Sequence, residues 1–197
     1  MGSNLIVSFL LLAIPAFFTP GPNNLMLMTS SAKFGYGKTI PHAVGIALGF
    51  PFLVFSIGLG LGEVFEIYPI LKIVLKYFAA AYFLYMAWNL LGMKIGDVGG
   101  VERPMKLYEA ALFQWINPKA WAMGVSFVGI YVVSGEGRWA SLLLLTLGVF
   151  AMSPLSTTTW MVFGKQLKSL LKHTGTERFL GVILAGLMIV AVILFLV

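Results

Sequence analysis

Six long apolar stretches divide the chain, each bounded by polar, basic or glycine-rich residues. They cover residues 4–32, 39–61, 68–91, 107–133, 138–163 and 179–197. Each approaches or exceeds the roughly 20 apolar residues that a helix needs to cross a bilayer. No connection between them is long enough to hold a soluble domain. The longest, GMKIGDVGGVERPMK, is polar and glycine-rich and reads as a linker between two sets of three helices. The pattern predicts an all-α integral membrane protein with six transmembrane helices in a single transmembrane domain. Its halves are residues 1–92 and 107–197, joined by a linker at 93–106.

Two of the stretches are too long for one straight helix. The first, 29 residues, would run roughly 43 Å, against a hydrocarbon core of about 30 Å. The fourth has 27 residues and the same excess. Both contain a proline cluster, TPGPNN at 19–24 and INPKA at 116–120. Proline suits the first position of a helix, with Gly or Asn just before it. Gly21-Pro22 and Asn117-Pro118 therefore predict that helices 1 and 4 are each broken into two half-helices, the second starting at the proline. Counted from the cytoplasmic side, both breaks fall near mid-membrane.

Composition agrees with the pattern. The chain is 59% hydrophobic and 10% charged, with mean hydropathy +0.95; an ordinary soluble domain carries about 25% charged residues. The net charge of +6 would suit nucleic acid if it were clustered, but the basic residues sit in short runs between apolar stretches. Nine of thirteen fall in the connections 1–2, 3–4 and 5–6. The positive-inside rule puts those connections in the cytoplasm and both termini outside. MGSNL lacks the positive start of a signal peptide, so the first stretch is expected to stay in the protein. Zero Cys excludes thiol chemistry and disulfides, and two His argue against haem. There is no Walker A loop, HExxH, GxSxG or acidic metal cluster, so no enzyme and no cofactor is expected.

Three helices per half is an odd number, so the second half must run upside down relative to the first. The halves also echo each other. A proline break is followed by GYGK (35–38) and ALGF (47–50) in one, and by GEGR (135–138) and TLGVF (146–150) in the other. This points to two inverted three-helix repeats, a common transporter plan.

Half-helix N-termini at mid-membrane offer unpaired N–H groups and positive dipole ends to an anion. Lys119 sits one residue into the second half-helix of helix 4, where it opposes that dipole. It fits if a carboxylate visits, and equally if it caps carbonyls of the preceding half-helix. Asn23, Asn24 and Asn117 add side-chain donors and acceptors. Gln114 is a further site residue or an interhelical hydrogen bond. The breaks themselves are either a binding site or packing kinks.

PGPNN in the first helix, FGYGK after it, AAAYFLYMAWNLL (79–91) and NPKA in the fourth helix together resemble the LysE/RhtB family of amino-acid exporters. The resemblance covers nearly the whole chain. It implies a small bacterial inner-membrane protein that exports amino acids or their derivatives on the membrane gradient, without a cofactor. It assigns the motif positions to Pro20, Gly21, Pro22, Asn23, Asn117, Pro118 and Lys119. Asn24 resembles the branch that handles neutral substrates, including cysteine precursors.

Other features carry two readings each. His42 is a proton relay or a structural, interfacial histidine. No Asp or Glu lies deep in a span (Glu63, Glu66 and Glu109 are near ends), which leaves a proton carrier unassigned if the coupling ion is a proton. SPLSTTTW (153–160) is kink repair behind Pro154 or a pathway lining. Gly45 and Gly49 form a GxxxG pair for packing inside the protomer or across a homodimer. The expected function is secondary-active export, with a passive channel for small anions or zwitterions as the alternative.

Overall fold

A computed structural model of the chain describes residues 2–61, 67, 68, 70–91, 103–173 and eight positions between 179 and 193. The linker residues 93–102, Glu63, Glu66 and most of the sixth stretch lie outside the described residues. Among those described, the structure is helical and contains no strand. Helix α1 is Gly2–Phe18, α2 is Pro22–Phe34, α3 is Tyr36–Ser56 and α4 is Ile70–Leu91. Helix α5 is Leu107–Phe113, α6 is Pro118–Tyr131 and α7 is Arg138–His173. A π-turn at Ile57–Leu61 extends α3, and a 3-10 turn at Gly135–Gly137 precedes α7. By length and composition, Tyr36–Leu61 and Gly135–Leu170 are each able to cross a membrane; Leu5–Phe18 and Pro22–Phe34 make a third span if their 52° bend is taken within one crossing.

The chain is interrupted at both proline clusters, in different ways. Between α1 and α2, Gly21 is fully extended at φ −173°, ψ 175°, and Pro22 opens α2. Between α5 and α6 the chain tightens first. Amides of Gln114, Trp115, Ile116 and Asn117 each donate to the carbonyl three residues back, a 3-10 geometry. Only Asn117 is then extended, and its side chain accepts from the Lys119 amide as an N-cap.

The unbroken helices α3 and α7 are the pillars of the fold and pack against each other along their length. Two apolar clusters sit at different heights on them. One joins Leu25, Met28, Ala43, Ile46, Phe113 and Met161. The other joins Phe17, Phe50, Leu53, Phe127, Val149 and Met152. The helices on the two sides of each interruption belong to different clusters: α2 and α5 to the first, α1 and α6 to the second. Many large apolar side chains outside these clusters are exposed, as a lipid-facing surface requires.

Glycines set two close contacts. A Cβ on Gly45 would collide with the Leu107 carbonyl and the Ala110 side chain, and one on Gly49 would lie 2.6 Å from the Ala111 Cα. The GxxxG pair of α3 is thus the seat of α5 inside the protomer, which takes it out of any homodimer argument. At the corners, Gly35 (φ 90°) links α2 to α3 and Gly135 (φ 79°) precedes α7. Both adopt the left-handed backbone that disfavours other residues, at matching places in GYGK and GEGR.

Helix α7 continues ten residues past the expected end at Phe163. The continuation GKQLKSLLKH is rich in helix-favouring Lys, Leu and Gln, so nothing in it stops the helix at the membrane edge.

Candidate functional site

The two breaks lie side by side. Asn23 at the start of α2 pairs with Gln114 in the tightened turn before α6: Asn23 Nδ2 donates to Gln114 Oε1 at 2.7 Å, and Gln114 Nε2 returns a bond to Asn23 Oδ1 at 3.3 Å. Gln114 also donates to the Ala110 carbonyl at 2.8 Å. It is fully buried, so its second reading, the interhelical hydrogen bond, is the one the structure shows.

Lys119 crosses between the breaks. Its Nζ donates to the Thr19 carbonyl and to Thr19 Oγ1, each at 2.9 Å. Its stem passes over Gly21, where a Cβ would stand 2.6 Å from Lys119 Cδ and 3.0 Å from Nζ. Lys119 therefore caps a carbonyl, as one reading of the sequence had it, but that of Thr19 just past α1 and not one of the half-helix before it. Further bonds meet carbonyls of the opened turn. Asn24 Nδ2 donates to Phe17 and Thr19 carbonyls, both at 2.9 Å, and Ser156 Oγ of α7 donates to Phe17 O at 2.8 Å. These bonds answer the accounting that any interrupted helix imposes when buried.

A cavity of ≈ 40 Å³ opens at this junction, room for roughly three water molecules. Its polar lining is Asn23, Asn24, Asn117, Lys119, Ser153, Ser156 and Thr157; Phe17, Ile46, Phe50 and Met123 supply apolar wall, and Gly21 supplies bare backbone. Of the residues singled out in the sequence, Gly21, Asn23, Asn24, Asn117 and Lys119 line it. Pro20, Pro22, Pro118 and Gln114 do not: the prolines shape the backbone and Gln114 holds Asn23. His42 is buried away from the lining, with Nδ1 unpaired among the described residues.

Sequence reasoning passed over Thr19, although it stands inside the FTPGPNN string. The hydroxyls of SPLSTTTW had two readings; residues of the stretch line the cavity, and their hydroxyls meet carbonyls other than that of Phe150, the one that Pro154 frees. Ser153 Oγ donates to Val149 O at 2.8 Å and Thr157 Oγ1 to Pro154 O at 3.2 Å, while both residues line the cavity.

Among the described residues lining the cavity there is one cation and no carboxylate, and no cluster among the described residues suits a metal. The site can take a small group with a negative end near Lys119 and hydrogen-bonding capacity elsewhere. It offers no nucleophile–base pair for chemistry.

Comparison with known proteins agrees. The family model described as "LysE type translocator" matches residues 14–197. Among curated relatives, the cysteine/O-acetylserine efflux protein of Salmonella choleraesuis (strain SC-B67) is 26% identical over 177 residues, 87% of each chain. The protein of the same name from Escherichia coli O139:H28 is 25% identical over 195 residues, 96% of each. That from Klebsiella pneumoniae subsp. pneumoniae is 25% identical over 191, covering 96% of this chain and 95% of the relative. No solved structure matches the chain. The family is one of membrane translocators, not enzymes, and its model spans both breaks, the pillars α3 and α7 and the cavity between them: the chain belongs to the LysE type translocator family.

Proposed function

We propose that the chain is a secondary-active exporter of amino acids or amino-acid derivatives, small neutral ones first, across the bacterial inner membrane. The efflux relatives of similar length are named for cysteine and O-acetylserine, and those two compounds head the substrate class. The substrate carboxylate sits between broken helices 1 and 4, at Lys119 and the amide-rich starts of α2 and α6. The observation that carries this reading is Lys119 itself. It reaches from one break to the other, at a cavity walled by residues of both.

The matching order of break, half-helix, left-handed glycine and long helix in 1–92 and 107–197 supports inverted repeats joined by the linker 93–106. With six spans, both termini are periplasmic. Alternating access then rocks one repeat against the other. The coupling ion on this reading is the proton.

The test is uptake into inverted vesicles of a panel of labelled amino acids that includes L-cysteine and O-acetyl-L-serine. Wild type accumulates at least one, and Lys119→Ala and Asn23→Ala accumulate none while still inserting. Normal uptake by both variants overturns the site, and uptake of nothing by folded wild type overturns the function. Dissipating the proton gradient separates a pump, which stops moving substrate uphill, from a passive channel.

A further inference from the structure

The carboxylate reading leaves half of a zwitterion unaccounted for. A substrate ammonium buried beside Lys119 needs acceptors, and no lining residue described is an acid. The wall supplied by α7 has the right chemistry. Ser153, Ser156 and Thr157 each own a single hydroxyl proton, and each proton is already given to a carbonyl: Val149 O, Phe17 O and Pro154 O respectively. What these three oxygens present to the cavity is lone pairs alone. Asn24 is used likewise. Its amide nitrogen is engaged by the Phe17 and Thr19 carbonyls, which leaves Oδ1 as its remaining polar atom. The cavity is thus polarised, with a donor end at Lys119 and an acceptor wall on α7.

We infer that Ser153, Ser156 and Thr157 form the ammonium subsite of the transported molecule, which makes the site one for zwitterionic α-amino acids. This rests on the proposed carboxylate site at Lys119. An α-ammonium has three N–H donors, and three hydroxyl-bearing residues line the cavity. A cationic side chain has no acid to pair with and stands against Lys119 in a poorly hydrated cavity, where like charges repel strongly. The site therefore prefers a neutral side chain over a basic one, through the lack of a carboxylate and not through size.

The experiment uses the full chain in inverted vesicles, labelled L-cysteine as probe, and three unlabelled competitors beside L-cysteine. These are 3-mercaptopropionate, which lacks the ammonium, cysteamine, which lacks the carboxylate, and L-lysine. For wild type, all three are expected to need about tenfold or more higher concentration than L-cysteine for half-inhibition, the worth of one charged hydrogen-bond set. In Ser153→Ala and Thr157→Val the L-cysteine advantage over 3-mercaptopropionate shrinks about tenfold, while that over cysteamine stays. Equal competition by 3-mercaptopropionate and L-cysteine in wild type overturns the ammonium subsite and leaves the carboxylate site standing. Equal competition by cysteamine overturns the carboxylate site instead. The wild-type arms need no variant to fold. Unchanged selectivity in variants that insert normally also overturns the assignment, leaving the hydroxyls as bonds to helix carbonyls, and absence of uptake of every labelled amino acid by folded wild type overturns both readings.

Discussion

Lys119 Nζ holds both the carbonyl and the hydroxyl of Thr19, each at 2.9 Å, across 100 positions of sequence. The contact explains a lysine in the first turn of α6, where the dipole disfavours it. The C-terminal end of α1 lies opposite, and its partial negative charge faces the ammonium. A visiting carboxylate would compete with Thr19 for the same group. Lys119→Met is therefore expected to abolish uptake. Thr19→Val keeps the carbonyl and loses only the hydroxyl, so it should retain uptake and cost about 1 kcal/mol of stability. Vesicle uptake and the thermal midpoint in detergent check the pair; equal loss of uptake in both would show that Thr19 does more than hold the lysine.

Gly21 tests the same seat by steric means. Its backbone is extended, not left-handed, so alanine meets no conformational barrier there. A Cβ would nevertheless lie 2.6 Å from Lys119 Cδ and push the lysine stem off Thr19. Gly21→Ala is expected to insert normally and lose about tenfold or more in uptake, the effect of misplacing a charged hydrogen bond. An unaltered KM would mean that the ammonium has other positions from which it works.

The Asn23–Gln114 pair separates stability from transport. Asn23→Leu leaves the buried Gln114 amide without its partner, at a cost of about 1–3 kcal/mol. Replacing both residues with leucine removes the orphan and should recover most of that stability while uptake stays lost. The double-mutant cycle, read from thermal midpoints, gives the coupling. Additive losses would show that the amides do not depend on each other.

Packing of α5 on α3 predicts opposite results for two glycine substitutions in the same helix. Gly45→Ala drives a methyl into the Leu107 backbone carbonyl, which cannot swing aside as a side chain can, and should cost about 1–3 kcal/mol. Gly37→Ala meets nothing within 4 Å and should be neutral or stabilising by up to about 1 kcal/mol. Similar midpoints for the two would contradict the α3–α5 contact.

The sequence alone determined the class of protein and the two places where proline clusters interrupt its helices. Apolar length and scarce charge leave no soluble alternative, because too few polar side chains exist to coat a globule. Pro22 and Pro118 each remove a backbone donor and fix φ, so local chemistry places the starts of α2 and α6 whatever surrounds them. GYGK and GEGR were legible as an echo between the halves; that Gly35 and Gly135 are left-handed corners was seen only in the structure. The tertiary structure alone decided what these features do together. No spacing rule connects Lys119 to Thr19, Asn23 to Gln114 or Ser156 to Phe17 O, since each contact depends on how α3 and α7 hold the broken helices side by side. Nor does periodicity tell which lone pairs a hydroxyl keeps once its proton is committed. That depends on which carbonyl lies nearest in space, and it is what gives the cavity a donor end and an acceptor wall.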